Sequence, residues 1–275
     1  RYSFVTADPF DYLQVPVEGT GGLEELARRM GALSAGTIDG LPPFQGGAAG
    51  LLGYGLGRQL EVLPAARIDE FKVPAVAVGF YDVVVAFDHA SGQSWIISQG
   101  FPLADPTERS RRAKSRLRQF RDWVYADSPP PNGPPEKPRL SQLRIDELAT
   151  AYPTERLDGL LSNFAQPDYL KAVRRAIEYV YSGDIFEVNL SQRLVYPAAD
   201  DSVSLYLRLR DRNPAPFAGY FDLGDFQVVS ASPERFLRVN GRSVEARPIK
   251  GTRRRTEQPE ADRAAGEELL KSEKD

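Results

Sequence analysis

The run Ser128-Pro-Pro-Pro-Asn-Gly-Pro-Pro-Glu-Lys-Pro138 places six prolines and a glycine in eleven residues. Each proline removes a backbone donor and fixes φ, so neither a helix nor a central strand can run through it. It reads as a linker or exposed loop rather than as a PxxP ligand for another domain. The 275-residue chain is thereby divided before any other signal is weighed. We expect an amino-terminal subdomain over 1–127, a linker over 128–160 and a second region over 161–275.

Within the first region, Gly46 to Tyr54 is a small-residue segment suited to a closely packed strand, its glycines serving packing. The glycines at 53, 55 and 57 have the wrong spacing for a dinucleotide fingerprint, and no Gly-Lys-Ser/Thr ending marks a phosphate loop. Strands over Val76 to Phe87 and Ser94 to Ser98 meet through a turn at Asp88 to Gly92. A helix over Pro106 to Tyr125 carries Ala113, Leu117, Phe120 and Val124 on its inner face and arginines on the other.

Beyond the linker, the spacing predicts a helix over Pro167 to Ser182, with Leu170, Val173, Ile177 and Val180 as its buried stripe and Gly183 ending it. Ile185 to Leu194 alternates apolar and polar residues as a half-buried strand does. Ser202 is placed to cap a helix over Val203 to Arg212, stopped by Asn213-Pro214. Strands follow at Phe217–Asp222, Gln227–Ala231, Phe236–Val239 and Ser243–Arg247, and a last helix begins near Pro259. Strands grouped in hairpins with helices between the groups imply an α+β fold: antiparallel sheets packed as a sandwich with flanking helices. The chain opens on Arg1 and stops at Lys274-Asp275 inside a charged helical pattern, so we expect a fragment truncated at both ends.

Composition narrows the function classes. Hydrophobic content of 41% and charged content of 27% are those of a soluble globular protein. A net charge of −3 supplies no field for nucleic acid or an anionic membrane. The absence of cysteine excludes disulfides and thiolate metal sites and suits a cytoplasmic setting. His89, the one histidine, falls in a hairpin turn and reads as a surface residue rather than a base. Apolar runs such as Val83 to Phe87 are too short to span a bilayer, and no signal peptide is visible.

The chemistry-bearing stretch is Ser232 to Arg255. Glu234 precedes one strand, Lys250 follows the next, and Asn240-Gly241 between them is a strong hairpin signal. A hairpin returns its ends to one place, so an acid and an amine sixteen residues apart can be neighbours. A lysine attacks carbon only as the neutral amine, which burial or the charges of Arg247, Arg253, Arg254 and Arg255 would favour. On pattern alone a solvated lysine in a basic loop outweighs the nucleophile, since most lysines are exposed. Glu234 is equally an acid at a cleft or the ion-pair partner of a local arginine.

Four segments resemble the chorismate-utilising enzymes, in the order that family has them: Gly183-Asp-Ile-Phe-Glu-Val-Asn-Leu-Ser-Gln-Arg193, Asn213-Pro-Ala-Pro-Phe217, Ser232-Pro-Glu-Arg-Phe236 and Arg247-Pro-Ile-Lys-Gly-Thr-Arg253. Gly46 to Tyr54 resembles the same family's amino-terminal region. The resemblance implies that 161–275 is the first part of a chorismate-binding domain whose second half lies beyond Asp275. Lys250 stands where aminodeoxychorismate synthase large subunits typically carry lysine and anthranilate synthases alanine, so the former is implied. That function converts chorismate and ammonia to 4-amino-4-deoxychorismate on the route to p-aminobenzoate and folate. By resemblance, Lys250 and Glu234 are the catalytic nucleophile and acid, and Thr252, Arg253 and Glu187 line the substrate site. Glu187 stands where the amine-adding subfamilies commonly have Gln, and Asn213-Pro-Ala-Pro-Phe-Ala218 departs from the tryptophan-binding Asn-Pro-Ser-Pro-Tyr-Met pattern. The resemblance further implies Mg²⁺, with ligands beyond Asp275, and a glutamine amidotransferase partner. The alternatives are an anthranilate synthase large subunit, or a fragment without activity that docks an amidotransferase.

Overall fold

The computed structural model describes residues 1–126, 149–155, 157–198 and 200–272. The proline-rich run of 128–138 lies outside them. Two compact units are present: Arg1–Pro197 with Leu223–Asp225, and Ala198–Asp222 with Phe226–Asp275. Every strand ladder is antiparallel and helices lie between the strand groups, so the fold class is α+β as expected.

In the first unit, strands β1 (Tyr2–Val5) and β2 (Asp11–Val15) precede helix α1 (Gly22–Gly31), strand β3 (Gly47–Leu52) and the short helix α2 (Gly57–Leu60). Strands β4 (Val76–Tyr81), β5 (Val83–Asp88) and β6 (Gln93–Ser98) and helix α3 (Pro106–Tyr125) follow. The sheets run β2-β4-β3 and β1-β5-β6, with β4 and β5 central. Central position explains their near-continuous apolar sequence, since both faces are covered. Val76, Ala77, Phe80, Val84 and Ala86 are wholly buried, and each large side chain among them contributes about 1.5–3 kcal/mol by leaving water. Gly50 lets β3 close on β4: a Cβ there would stand 2.1 Å from the Ala77 carbonyl oxygen.

The single strand expected over Val76 to Phe87 is two strands broken at Asp82. Asp82 is fully buried, and its carboxylate meets Arg112 Nε at 3.2 Å and Arg116 Nε at 3.3 Å. A buried carboxylate is tolerable only with counter-charge, and α3 supplies it. This corrects the reading of α3. Arg116 and Phe120 are its buried residues, Arg112 and Arg109 turn inward, and Leu117 and Val124 are exposed. Asp105 caps the helix, accepting from the Thr107 and Glu108 amides at 3.0 and 2.9 Å. Helix α1, which the sequence reading did not include, packs Leu23 and Leu26 on the β2-β4-β3 core and ties Arg29 to Asp11 at 2.9 Å.

Strands β7 (Tyr152–Pro153) and β8 (Leu161–Ser162), helix α4 (Gln166–Ser182) and strand β9 (Leu194–Val195) complete the first unit. Gly183 ends α4 at φ +80°, as expected of a left-handed cap. The stripe on α4 is not buried among the described residues: Leu170, Ile177 and Val180 remain 44–48% exposed. Val173, Ile177 and Val180 of the stripe line an open groove of ≈ 430 Å³ with Val188 and Leu190. Amphipathic spacing decides which face is apolar, but not what covers it. The strand expected over Ile185 to Leu194 is likewise unformed up to Arg193, because alternation makes a strand only where a ladder partner is present.

The second unit holds α5 (Ser202–Arg212), the β10 (Phe217–Asp222) and β11 (Gln227–Ser232) pair, the β12 (Arg238–Asn240) and β13 (Ser243–Glu245) pair, and α6 (Pro259–Leu270). The cap of α5 is Asp201, accepting from the Val203 and Ser204 amides, and not Ser202. Carboxylate and hydroxyl are both good caps, and here Ser202 turns its Oγ to the Tyr220 hydroxyl at 3.0 Å.

Candidate active site

The hairpin of β12 and β13 builds the candidate site. Its register pairs Arg238 with Glu245, Val239 with Val244 and Asn240 with Ser243, so the two-residue loop is Gly241-Arg242. Gly241 takes φ +56°, which suits a glycine at the first loop position of a primed turn. The Asn240-Gly241 signal thus falls at the hairpin's turn as expected, and the loop folds the two flanks toward each other.

What draws the flanks together is Glu245. Its carboxylate accepts from Arg247 Nη2 at 2.8 Å on one oxygen and from Arg235 Nη1 on the other. Partial desolvation works to raise the Glu245 carboxyl, but the Arg247 hydrogen bond and the charges of Arg247, Arg235 and Arg238 outweigh it and hold it below its ordinary value. Arg235 also lies over the Phe217 ring, 5.2 Å from its centroid, which ties this flank to β10. Glu234 directly precedes Arg235, and Lys250 stands three residues beyond Arg247. Arg235, the arginine expected as an ion-pair partner for Glu234, pairs with Glu245 instead, a residue the sequence pattern does not single out although the hairpin register places it at the base.

Glu234 and Lys250 are both exposed, and no hydrogen bond or ion pair joins them among the described residues. The Glu234 backbone is held in a local turn, its carbonyl accepting from Ser232 Oγ at 3.1 Å. Around Lys250 the positive charges are largely matched: Arg247 by Glu245, Arg253 by Glu268 at 3.0 Å and Arg255 by Asp262 at 2.7 Å. Asp262 is lowered by the hydrogen bond from Arg255 and by the Thr256 amide. Thr252 is exposed and its carbonyl accepts from Arg253 Nη1 at 3.1 Å. A groove of ≈ 320 Å³ runs between Arg253–Arg255 and the Gly266–Leu269 side of α6.

Glu187 belongs to the first unit, where it is exposed. The segment that carries it is anchored at its end. Arg193 donates its amide to Asn163 Oδ1 at 2.9 Å and its guanidinium to Glu70, and the guanidinium lies 5.1 Å from the Phe71 centroid. Glu70 also accepts from the Ala149 amide at 3.1 Å. The Arg193 hydrogen bond holds the Glu70 carboxyl down to about 2 against the opposing effect of burial. Pairing across 123 residues leaves no trace in local sequence pattern. His89, exposed at the turn after β5, bonds Ser3 Oγ at 2.7 Å.

Among the described residues no group of three or more His, Cys, Asp or Glu is placed to hold a metal ion. The Mg²⁺ implied by resemblance therefore does not fit the side chains described. No helix among them is long and apolar enough to cross a membrane.

Comparison with known proteins adds to this geometry. The family described as "chorismate binding enzyme" matches residues 18–275. Anthranilate synthase component 1 of Thermus thermophilus is 38% identical over 86% of this chain and 46% of its own length. Aminodeoxychorismate synthase component 1 of Salmonella typhimurium is 33% identical over 85% of this chain and 44% of its own. The crystal structure of anthranilate synthase component I from Streptococcus pneumoniae superposes with a TM-score of 0.73 at 23% identity, covering 100% of this chain and 57% of that one. The chain thus spans about half the length of the relatives it matches.

Proposed function

This chain belongs to the chorismate binding enzyme family, and from that premise we propose that it is part of the large subunit of an aminodeoxychorismate synthase. The observation that carries this reading is Lys250 within Arg247-Pro-Ile-Lys-Gly-Thr-Arg253, at the position that separates the amine-adding subfamilies. The proposed substrate is chorismate, with ammonia supplied by a glutamine amidotransferase partner, in the cytoplasm. Mg²⁺ belongs to the proposal only as an ion held by residues outside those described, and no step is derived through it.

In this reading the Lys250 amine adds to C2 of the ring, the ring double bond shifts, and the C4–oxygen bond breaks. Glu234 gives its proton to the departing hydroxyl, which leaves as water. Ammonia then adds at C4, the double bond shifts back, and the C2–nitrogen bond breaks to return the lysine. The Glu234 carboxylate takes up the surplus proton. One difficult displacement becomes two easier ones. Thr252, Arg253 and Glu187 are proposed as substrate-contacting residues, the guanidinium of Arg253 suiting a substrate carboxylate.

The test is a product assay on the full-length protein with chorismate and ammonium salt. Conversion to 4-amino-4-deoxychorismate, lost in Lys250→Ala, is the expected result. Release of pyruvate with a fluorescent aromatic amine would instead establish the second reading, an anthranilate synthase large subunit, which the higher identity to the Thermus relative favours.

A further inference from the structure

We propose that Asn240 is a self-modifying residue, which converts through a cyclic imide to aspartyl and isoaspartyl forms at the tip of the β12–β13 hairpin. The reaction needs an unhindered carboxamide followed by a residue whose amide nitrogen is free to reach it. Asn240 supplies the first: it is exposed, and its side chain makes no hydrogen bond among the described residues. Gly241 supplies the second. It lies in the loop outside the β12–β13 ladder, and its N–H serves no hydrogen bond among the described residues. Nothing stands within 4 Å of the place a Cβ would occupy there, so neither a side chain nor a neighbour blocks the approach. Glycine also has the widest freedom of φ and ψ, which closing the five-membered ring requires.

The other described asparagines each lack one of these conditions. The Asn163 carboxamide oxygen is occupied by the Arg193 amide, and a phenylalanine follows it. Asn189 is followed by Leu190. Asn213 is followed by Pro214, which has no N–H to attack with.

The step balances without any redox partner. The Gly241 nitrogen bonds to Asn240 Cγ, the bond from Cγ to the amide nitrogen breaks, and ammonia leaves with the proton that Gly241 loses. Water then opens the imide. Attack at the side-chain carbonyl gives aspartate, and attack at the backbone carbonyl gives isoaspartate, which moves a methylene into the main chain. Either product adds a negative charge between Arg238 and Arg242. The isoaspartyl product also lengthens the backbone at the Asn240–Ser243 pair, the rung that closes the loop. A one-atom insertion there disturbs the register that brings Arg235 and Arg247 to Glu245.

The experiment ages the intact protein at neutral and alkaline pH and maps its tryptic peptides by mass spectrometry. Cleavage after Arg238 and Arg242 isolates Val239–Arg242. We expect this peptide to gain the mass difference of hydroxyl over amine, faster at the higher pH, as two chromatographic forms of which one accepts a methyl group from an isoaspartyl methyltransferase. The peptides carrying Asn163 and Asn189 are expected to stay unmodified over the same period. An unchanged Val239–Arg242 peptide, or equal conversion at all three asparagines, would overturn the proposal.

Discussion

Arg247 Nη2 donates to Glu245 Oε2 at 2.8 Å, and this contact turns a short hairpin into a fixed base for the residues on either side of it. The other Glu245 oxygen holds Arg235, so one carboxylate spans both flanks. Replacing Glu245 with glutamine removes the charge that both guanidiniums share. Amide hydrogen exchange over 234–236 and 246–250 is expected to accelerate, while exchange in β10 and β11 is unchanged.

Glu234 is proposed to protonate the leaving hydroxyl. Glu234→Gln in the full-length protein is expected to lower kcat by roughly 10²–10⁴-fold, the usual contribution of a general acid, with little change in KM. Steady-state kinetics with ammonium salt as nitrogen donor will read this, and an unchanged kcat would remove Glu234 from the mechanism.

Asp82 carries the counter-charge for two arginines of α3 from a fully buried position. Asp82→Asn leaves Arg116, itself buried, with Asp8 as its one ion-pair partner among the described residues, and is expected to cost about 3 kcal/mol. Arg112 is 31% exposed, so Arg112→Ala should cost about 1 kcal/mol. Urea unfolding of the two variants beside the wild type checks the ranking.

The Glu70 carboxyl, held down to about 2, gives stability a pH dependence of definite sign. A carboxyl whose folded value lies below its unfolded one of about 4.3 stabilises the fold above that unfolded value. The contribution is lost as pH falls toward 2, where the folded form also takes up the proton. Glu70→Gln is expected to flatten the stability profile over that window and leave its slope near neutrality unchanged. Denaturant titrations at a series of acid pH values would show it.

The exposed stripe of α4 and the buried strand β4 respond differently to truncation. Phe80→Ala is expected to cost about 3–5 kcal/mol in this chain. Ile177, 48% exposed, should change stability by no more than about 0.5 kcal/mol when made alanine. A large loss at Ile177 would mean that the groove beside it is covered in solution.

Local pattern was enough for α3, α4, α5, the β10–β11 pair and the existence of a hairpin between Glu234 and Lys250. Those elements depend on periodicity, capping residues and turn glycines, all of which act within a few residues of chain. Four ordered motifs also carried the family, since they preserve residue types at fixed spacing. The Asn240-Gly241 pair marks the turn without fixing its register, which the cross-strand pairs of Val239 with Val244 and Arg238 with Glu245 set.

Tertiary structure alone decided where charge is neutralised and which apolar faces are covered. The break at Asp82, the inward turn of Arg109, Arg112 and Arg116, the pairing of Glu70 with Arg193 and the sharing of Glu245 all join residues whose separation along the chain carries no signal. A buried carboxylate needs its partner at hydrogen-bond distance in space, and spacing in sequence does not encode that distance. The amino-acid sequence by itself determined which residues could form the hairpin between Glu234 and Lys250. Only the folded chain determined that Glu245 holds its two flanks together, because the carboxylate acts through a distance that exists only after folding.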